Sequence, residues 1–252
     1  GPAAEQPVRR QQFHYDWHWQ WEYGNGDLGN QGVHQMDLAR WGLGQAALPP
    51  QILSVGGRLG YLDDGETPNT QVVWCGYEPA PLLFEVRGLP RTAGQDKMDD
   101  FLGAQIGVVF HCEHGCVVLT GYEDGHACDL DGKVVQRFRG GGDHYQNFVA
   151  AIRAGDPALL TAGAVEGHVS AALCSLGNDS LRAGHKAAGE PIGERLRAQP
   201  ALSEAFLRMQ DHLHENKVAT GAGDGLVLGA LLRPAADGAD QPRPEQREGF
   251  AM

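Results

Sequence analysis

The sequence has few basic residues, few cysteines and no long apolar run, and each shortage excludes a class of function. Its 20 lysines and arginines are outnumbered by 32 aspartates and glutamates, which gives a net charge of -12. That charge argues against a nucleic-acid or anionic-membrane partner, because both bind clustered cationic side chains. No apolar stretch approaches the roughly 18 residues of a membrane-spanning helix. The five cysteines are an odd number at low density, which does not indicate a disulfide framework.

Several cofactor and catalytic signatures are also missing. No G-x-G-x-x-G leads from a strand into a helix, and no G-x-x-x-x-G-K-[ST] occurs. GNGDLG at 24–29 matches the first pattern only in its letters. There is no G-x-S-x-G nucleophile elbow. HCEHGC at 111–116 would need ligands from a second segment to hold zinc, so we predict a hairpin turn there rather than a metal site.

The residues that are present predict an α+β fold with a mostly antiparallel β-sheet and helices before and after it. Strand-like segments between 52 and 138 form a predicted sheet of six or more strands, with Asp131-Gly132 as a hairpin turn. Helical spacing follows near 143–152, 164–183 and 203–215. The predicted organisation is an extended lead-in at 1–12, one domain at 13–220, and an irregular, partly disordered tail at 221–252.

The segment 13–44 contains four of the five tryptophans and three of the eleven histidines. Aromatic and polar residues alternate from Phe13 to Tyr23, which predicts a strand with one aromatic and one polar face. A glycine-rich loop follows, and then a short helix that begins near His34 and ends near Trp41. Large rings beside a glycine loop suit a ligand cleft, although they also suit an aromatic mini-core.

His34 is the candidate for proton transfer in this segment, because a histidine titrates near neutral pH. Asn30 and Asp37 flank it, and Asp37 lies one helical turn away, close enough to orient the imidazole. Two interpretations stay open from these residues alone. His34 is either an acid/base group or a helix-start histidine that bonds Asp37 for structural reasons.

The run GNGDLGNQGVHQMD at 24–37 resembles the GGG-x-L-x-D-x-G-x-H-x-x-D segment of the Gfo/Idh/MocA oxidoreductases. Similar runs are GGRLGYLDDGETPNTQ, FEVRGLP, GGGDHYQNFVAAIRAGD and EGHVSAALCSLGN, so the likeness covers about residues 1–230. The family fold joins an N-terminal Rossmann domain to a C-terminal α+β domain. The resemblance implies that the latter has an open-faced, mostly antiparallel β-sheet with helices packed on one face. This chain resembles the C-terminal domain, which binds the substrate and forms oligomers.

The resemblance implies a sugar or cyclitol oxidoreductase, in which hydride passes between a hydroxyl-bearing carbon and a nicotinamide ring. In that reaction His34 would be the general acid/base, Asp37 would orient its imidazole, and Asn30 would anchor a hydroxyl. Asn30 stands where the family has an aspartate, and an amide cannot take a proton. The residues implied to bind the substrate are Tyr15, His18, Trp19, Trp21 and Arg87.

The resemblance also bears on cofactor and partners. The family's G-x-G-x-x-G loop and Glu-Lys-Pro lysine are absent, so we expect no cofactor within this chain and NAD(P) only in a longer parent enzyme. The alternative is a cofactor-free carbohydrate-binding protein, or a lyase or isomerase, that kept the fold and lost NAD. We expect a homo-oligomer through the open sheet face, since an apolar face is rarely left exposed to water. The expected location is the cytoplasm, or the periplasm if a signal was removed upstream.

Overall fold

The computed structural model describes residues 13–221 and 223–234, which form two antiparallel sheets and seven α-helices. The helices are α1 Phe13–Asp16, α2 Gly26–Asn30, α3 Gly32–Gly42, α4 His144–Ala154, α5 Ala164–Arg182, α6 Gly189–Leu196 and α7 Pro200–Glu215. The strands are β1 Ile52–Gly57, β2 Thr70–Cys75, β3 Leu82–Arg87, β4 Val108–Cys112, β5 Gly115–Leu119, β6 Asp124–Cys128, β7 Val134–Arg139, β8 His185–Lys186 and β9 Val227–Leu228. Within the described ranges, no helix is long and apolar enough to cross a membrane.

The first sheet has the strand order β3-β2-β1-β9-β8 and is covered by helices on both faces. Side chains alternate across β2, since successive residues of a strand point to opposite faces. Val72 and Trp74 belong to the core that contains residues of α6 and α7, whereas Val73 and Cys75 belong to the core that contains residues of α5. This double cover explains why every residue of β2 is buried.

Two parts of the first sheet's surroundings were not predicted from sequence. Val227–Leu228 pairs with both β1 and β8, within the segment that was expected to be irregular. Helix α6 also had no prediction, although it buries Ile192 and Leu196. Both elements are short, and a hydrophobic period is recognised reliably only over windows of about 11–18 residues.

The second sheet is a four-stranded meander with the order β4-β5-β6-β7. The predicted turn at Asp131-Gly132 is confirmed, with Gly132 at a φ of 78° and Asp129 Oδ1 accepting hydrogen bonds from the following backbone. The predicted hairpin at HCEHGC is confirmed too, because Cys112 pairs with Gly115 across the turn. Every residue of β7 is exposed, so this sheet has an open face.

The predicted α+β class with open, antiparallel sheets is confirmed, but two details of its arrangement differ. The strands form two sheets rather than one of six or more, and the first sheet has helices on both faces. Successive strands pair readily when a short turn joins them. The chain instead leaves β3 at Arg87 and reaches β4 only at Val108, which allows a second sheet to begin.

Helix α3 lies between the two sheets, and two glycines permit its close packing. A methyl group on Gly32 would lie 2.9 Å from the ring of Phe84 in β3. A methyl group on Gly42 would lie 2.3 Å from the ring of Phe110 in β4. The absent side chains therefore let one helix contact both sheets, and the histidine in its first turn lies near their junction.

Candidate functional site

His34 lies in the first turn of α3 and is exposed. Asn30 is the last residue of α2 and is exposed as well. Gln31, between the two helices, keeps right-handed helical backbone angles of -91° and -38°. Because residues four apart on a helical path share a face, the amide of Asn30 and the imidazole of His34 are on the same side of this segment.

The imidazole of His34 packs against Tyr122, which follows β5. The two ring centroids lie 5.5 Å apart with the planes at 76°, an edge-on contact. The Gln31 amide fixes this tyrosine by donating to its hydroxyl at 2.8 Å and to Gln35 Oε1 at 3.3 Å. Sequence reasoning identified His34 but missed Gln31 and Tyr122, whose positions 91 residues apart leave no local signal.

Asp37 is held by helix α5. Its Oδ1 accepts hydrogen bonds from the Ser170 hydroxyl at 2.6 Å and from Arg40 at 3.3 Å. Arg40, with only 3% of its side chain exposed, also pairs with Glu166. These contacts anchor α3 to α5, while the role in orienting His34 that was assigned to Asp37 stays a prediction.

The aromatic segment is not the predicted strand. Residues 13–19 form α1 and a 3-10 turn at Trp17–Trp19, and the chain then reverses as Gly24 N–H donates to the Gln20 carbonyl at 2.8 Å. A methyl group on Gly24 would lie 2.6 Å from the carbonyl oxygen of His18. The alternating pattern was misleading because the backbone groups of this segment bond within its own turns and, at the Trp19 carbonyl, to the backbone of Glu66 and Thr67, rather than in a strand ladder.

Three of the predicted substrate-binding residues are nevertheless brought together. The ring of His18 lies 4.8 Å from that of Tyr15, and the ring of Trp19 lies 5.7 Å from that of Tyr15. His18 also stacks on Trp17 at 3.8 Å, and its Nδ1 donates to the Tyr15 carbonyl. The chain therefore forms an aromatic cluster, which we define as Tyr15, Trp17, His18 and Trp19.

A carboxyl group next to this cluster was not selected from the sequence. Burial raises the pKa of Asp27, in α2, and this is opposed by a hydrogen bond from Trp19 and by the charges of Arg58 and His18. A carboxyl with a raised pKa beside aromatic rings is a common feature of functional sites. Asp27 is therefore a further candidate for contact with a ligand or for proton transfer.

Trp21 and Arg87, also predicted to bind substrate, lie in separate contacts. The backbone N–H of Trp21 donates to Glu66 at 2.9 Å, and the guanidinium of Arg182 lies 5.0 Å from the centre of its indole ring. Arg87 donates to Asp99 at 2.6 Å and pairs with Glu85. Burial alone would lower the pKa of Arg87, but the two carboxylates raise it. Both side chains thus have partners within the chain, and their substrate-binding role stays a prediction.

His212, in α7, is buried beside the group formed by Arg87, Asp99 and Glu85. We expect this histidine to make the stability of the folded chain depend on pH. Its Nδ1 lies 3.3 Å from Asp99 Oδ2 without the geometry of a hydrogen bond. Burial lowers the pKa of His212, with Asp99 and Glu85 opposing this shift and Arg87 adding to it. Because the unfolded chain then binds a proton that the folded chain does not, the free energy of unfolding should fall as pH drops from about 7 to about 5.

Urea denaturation at several pH values checks this expectation. In His212→Gln the decrease between about pH 7 and pH 5 should be smaller, since glutamine does not titrate. Asp99 has a lowered pKa, because bonds from Arg87 and the Asp100 backbone outweigh burial. The contribution of Asp99 to the free energy of unfolding is therefore lost only at more acidic pH. The effects of Asp99 and His212 on stability can be distinguished by the pH at which each appears. An identical pH dependence in both proteins would contradict the assignment.

Comparisons with known proteins show a likeness in fold. No protein-family model matches the chain, and no curated protein matches it. A candidate oxidoreductase from Thermotoga maritima superposes with a TM-score of 0.50 and 17% identity, over 69% of this chain and 50% of its own. For the WlbA dehydrogenase from Bordetella pertussis, solved with NADH and UDP-GlcNAcA, the TM-score is 0.39, the identity is 19%, and the coverage is 68% of this chain and 48% of its own. For a candidate oxidoreductase from Yersinia pestis, the TM-score is 0.43 and the identity is 17%. This superposition covers 68% of this chain and 50% of the other.

The chain spans about half the length of each of these structures. At these identities the likeness extends to the fold and not to the chemistry of individual side chains. The Thermotoga maritima superposition covers 69% of this chain. The chain therefore shares part of its α+β fold with this candidate oxidoreductase.

Proposed function

We propose that this chain is the substrate-binding part of a Gfo/Idh/MocA-type oxidoreductase that acts on a sugar or cyclitol. The observation that carries the proposal is the placement of His34, which is exposed in the first turn of α3 with its ring against Tyr122. Two further points support it. Residues 24–37 resemble the histidine segment of that family, and part of the fold is shared with a candidate oxidoreductase.

The chemistry assigned to His34 is proton transfer at a substrate hydroxyl. Oxidation of a secondary alcohol removes the hydroxyl proton, and a neutral imidazole accepts a proton efficiently near pH 7. Asn30 shares the same side of the helical segment and offers an amide that donates to, or accepts from, a second hydroxyl. The bond from Gln31 holds Tyr122 beside His34, which restricts the orientation of the imidazole.

The aromatic cluster and Asp27 supply the substrate's other contacts in this proposal. Tyr15 and Trp19 present large, rigid ring surfaces that suit the C–H faces of a sugar ring. Asp27, whose pKa is raised by burial, lies within hydrogen-bonding distance of Trp19. A carboxyl in that position offers a donor or acceptor to sugar hydroxyls, which gives a mainly apolar surface its few specific polar contacts.

The described residues do not fit a dinucleotide cofactor. NAD(P) binds at a helix that follows a parallel strand, where backbone N–H groups meet the pyrophosphate. Every strand pair in residues 13–221 and 223–234 is antiparallel. In this proposal NAD(P), the hydride acceptor, would bind to a separate domain of the complete enzyme.

Calorimetry tests this cofactor assignment. The 252-residue chain should give no heat of binding with NAD⁺ or NADP⁺, because the part of it that the structure describes contains no parallel strand–helix unit to bind the pyrophosphate. A dissociation constant in the micromolar range would contradict the proposal that the cofactor binds elsewhere.

A cofactor-free lyase or isomerase is the second candidate, and Asp27 favours it. A carboxyl with a raised pKa and a nearby histidine could move protons within one substrate without any redox step. Incubating the chain with keto-sugars in the absence of nucleotides separates the two functions. Product formation would support the second candidate, and its absence would leave the oxidoreductase.

Histidine-detected NMR of the ¹⁵N-labelled chain tests the substrate site. D-glucose, D-xylose and myo-inositol are titrated separately, and at least one of them should shift the imidazole signals of His34. His34→Ala should lose that binding, whereas His214→Ala, at an exposed position of α7, should keep it. Shifts confined to residues away from α3, or no binding by any polyol, would contradict the proposal.

We also propose that two copies associate through the open face of the second sheet and helix α4. Apolar side chains are exposed on β7 at Phe138 (41%), and on α4 at Phe148 (57%) and Ile152 (62%). Exposed apolar surface of this kind is typical of protein interfaces. A second copy is the expected occupant because the same surface is present on every chain and permits two-fold pairing.

Analytical ultracentrifugation tests this association. The wild-type chain should sediment as a dimer or larger oligomer, and Phe138→Asp with Phe148→Asp should sediment as a monomer, because a charged carboxylate opposes burial. Leu207→Asp, at an exposed position on α7, is the control and should leave the oligomer intact. A monomeric wild type, or an oligomer unaffected by the double substitution, would contradict the proposal.

A further inference from the structure

Two of the chain's five free cysteines lie opposite each other in the second sheet. Cys116 in β5 is the direct cross-strand partner of Cys128 in β6. Both side chains are half-buried, and the thiol of Cys116 is near enough to Cys128 to raise the pKa of Cys128. Directly opposed residues of an antiparallel pair lie about 4.5–5.5 Å apart at Cα, within the range of about 4.4–6.8 Å that disulfides require.

The other three cysteines are placed differently. Cys75 and Cys174 are buried in the core beneath the first sheet, where oxidants have no access. Burial, and in second place the neighbouring Cys174, raises the pKa of Cys75, which makes its thiol still less reactive. Cys112 is exposed, but it pairs with Gly115 and so points to the face opposite Cys116, because adjacent positions on a strand alternate.

We propose that Cys116 and Cys128 form a reversible intramolecular disulfide. The oxidant is a small disulfide such as oxidised glutathione. The thiolate of one cysteine attacks it and releases one glutathione, and the second cysteine then attacks the mixed disulfide and releases the other. One protein S–S bond forms, one small-molecule S–S bond is reduced, and the two protons end on the two glutathione thiols.

This bond would close the hairpin that contacts the candidate site. Residues 116–128 contain the turn between β5 and β6, and that turn contains Tyr122, whose ring packs against His34 and whose hydroxyl accepts from Gln31. A covalent link at the base of the hairpin limits how far its strands can separate, and so restricts the position of Tyr122. The effect on catalysis rests on the proposed function, whereas the formation of the bond does not.

Oxidation with glutathione disulfide followed by peptide mapping tests the bond. Wild type and Cys112→Ser should each form one intramolecular disulfide between Cys116 and Cys128, which dithiothreitol reverses. Cys116→Ser should form none. Burial and the neighbouring Cys116 thiol raise the pKa of Cys128, so the reaction should be faster at higher pH. Cross-links through Cys112, covalent dimers, or persistent mixed disulfides at Cys116 or Cys128 of the wild type would overturn the proposal.

The link to His34 has its own measurement. Oxidation of Cys112→Ser should shift the imidazole NMR signals of His34 through Tyr122, and the same treatment of Cys116→Ser should leave them unchanged. If the mapped disulfide forms without moving the His34 signals, the coupling to the site is overturned, although the bond stands. If the His34 signals move but no polyol binds, the oxidoreductase proposal fails, whereas the coupling between the disulfide and His34 stands.

Discussion

Substitution of His34 by alanine is expected to lower the turnover number of the complete enzyme by about 10²–10⁴-fold, the usual contribution of a general acid/base. The fold should be unaffected, because the imidazole is exposed and its ring contact with Tyr122 lies at the surface. Steady-state kinetics with the best-binding polyol and NAD(P)⁺ gives the turnover number. Thermal unfolding of the same samples reports the fold.

Two variants separate a catalytic role for His34 from a structural one. His214→Ala removes an exposed histidine of α7 and should retain wild-type turnover. Tyr122→Phe keeps the ring beside His34 but removes the hydroxyl that accepts from Gln31, so it should lower turnover less than His34→Ala does. If His34→Ala loses its fold, or keeps full turnover, the histidine is not the acid/base group.

Substitution of Phe206 by alanine is expected to lower the free energy of unfolding by about 3–5 kcal/mol, the range for removing a large side chain from a packed core. Phe206 is fully buried, at 0% exposed, among residues of α6 and the first sheet. The neighbouring Leu207 is 56% exposed, and Leu207→Ala should change stability by only about 0.5 kcal/mol. Urea denaturation measures both, and equal losses would contradict the placement of this core.

Much of this core could be predicted from the sequence because its signals are local. Phe206, Met209 and Leu213 recur at helical spacing, and all three are buried on α7. Asp143 is the N-cap of α4, a position that favours aspartate, and its carboxylate accepts from the Gln146 backbone at 2.9 Å. Asp131-Gly132 similarly predicted its hairpin turn. In each case the residues that determine the feature lie close together in the sequence, so a short segment is enough to predict it.

Features that depend on distant parts of the chain could not be predicted in this way. The alternating rings of residues 13–23 have the period of a strand, but the Trp19 carbonyl bonds instead to the backbone of Glu66 and Thr67. The division into two sheets depends on where the long connection after Arg87 places β4. Strand β9 forms only because β1 and β8 provide partners on both sides.

The candidate site shows the same division. The helix that contains His34 was predicted from the sequence, but the glycine-rich loop predicted before it forms the short helix α2 instead. The shared side of Asn30 and His34 follows from their spacing of four residues. The contacts around that helix could not be predicted. Tyr122 lies in the turn between β5 and β6, and Ser170, which donates to Asp37, is 133 residues from Asp37 in the sequence. Such contacts arise from the packing of α3 between the sheets and α5.

A crystal structure of this chain with a bound polyol tests the central claim most directly. The polyol that binds best in the NMR titrations is soaked into crystals, and the distance from the His34 imidazole to each ligand oxygen is measured. We predict one hydroxyl oxygen at about 2.6–3.2 Å from an imidazole nitrogen, with the sugar ring against the aromatic cluster. A ligand bound elsewhere, with His34 in contact only with Tyr122, would contradict the assignment of this histidine as the acid/base group.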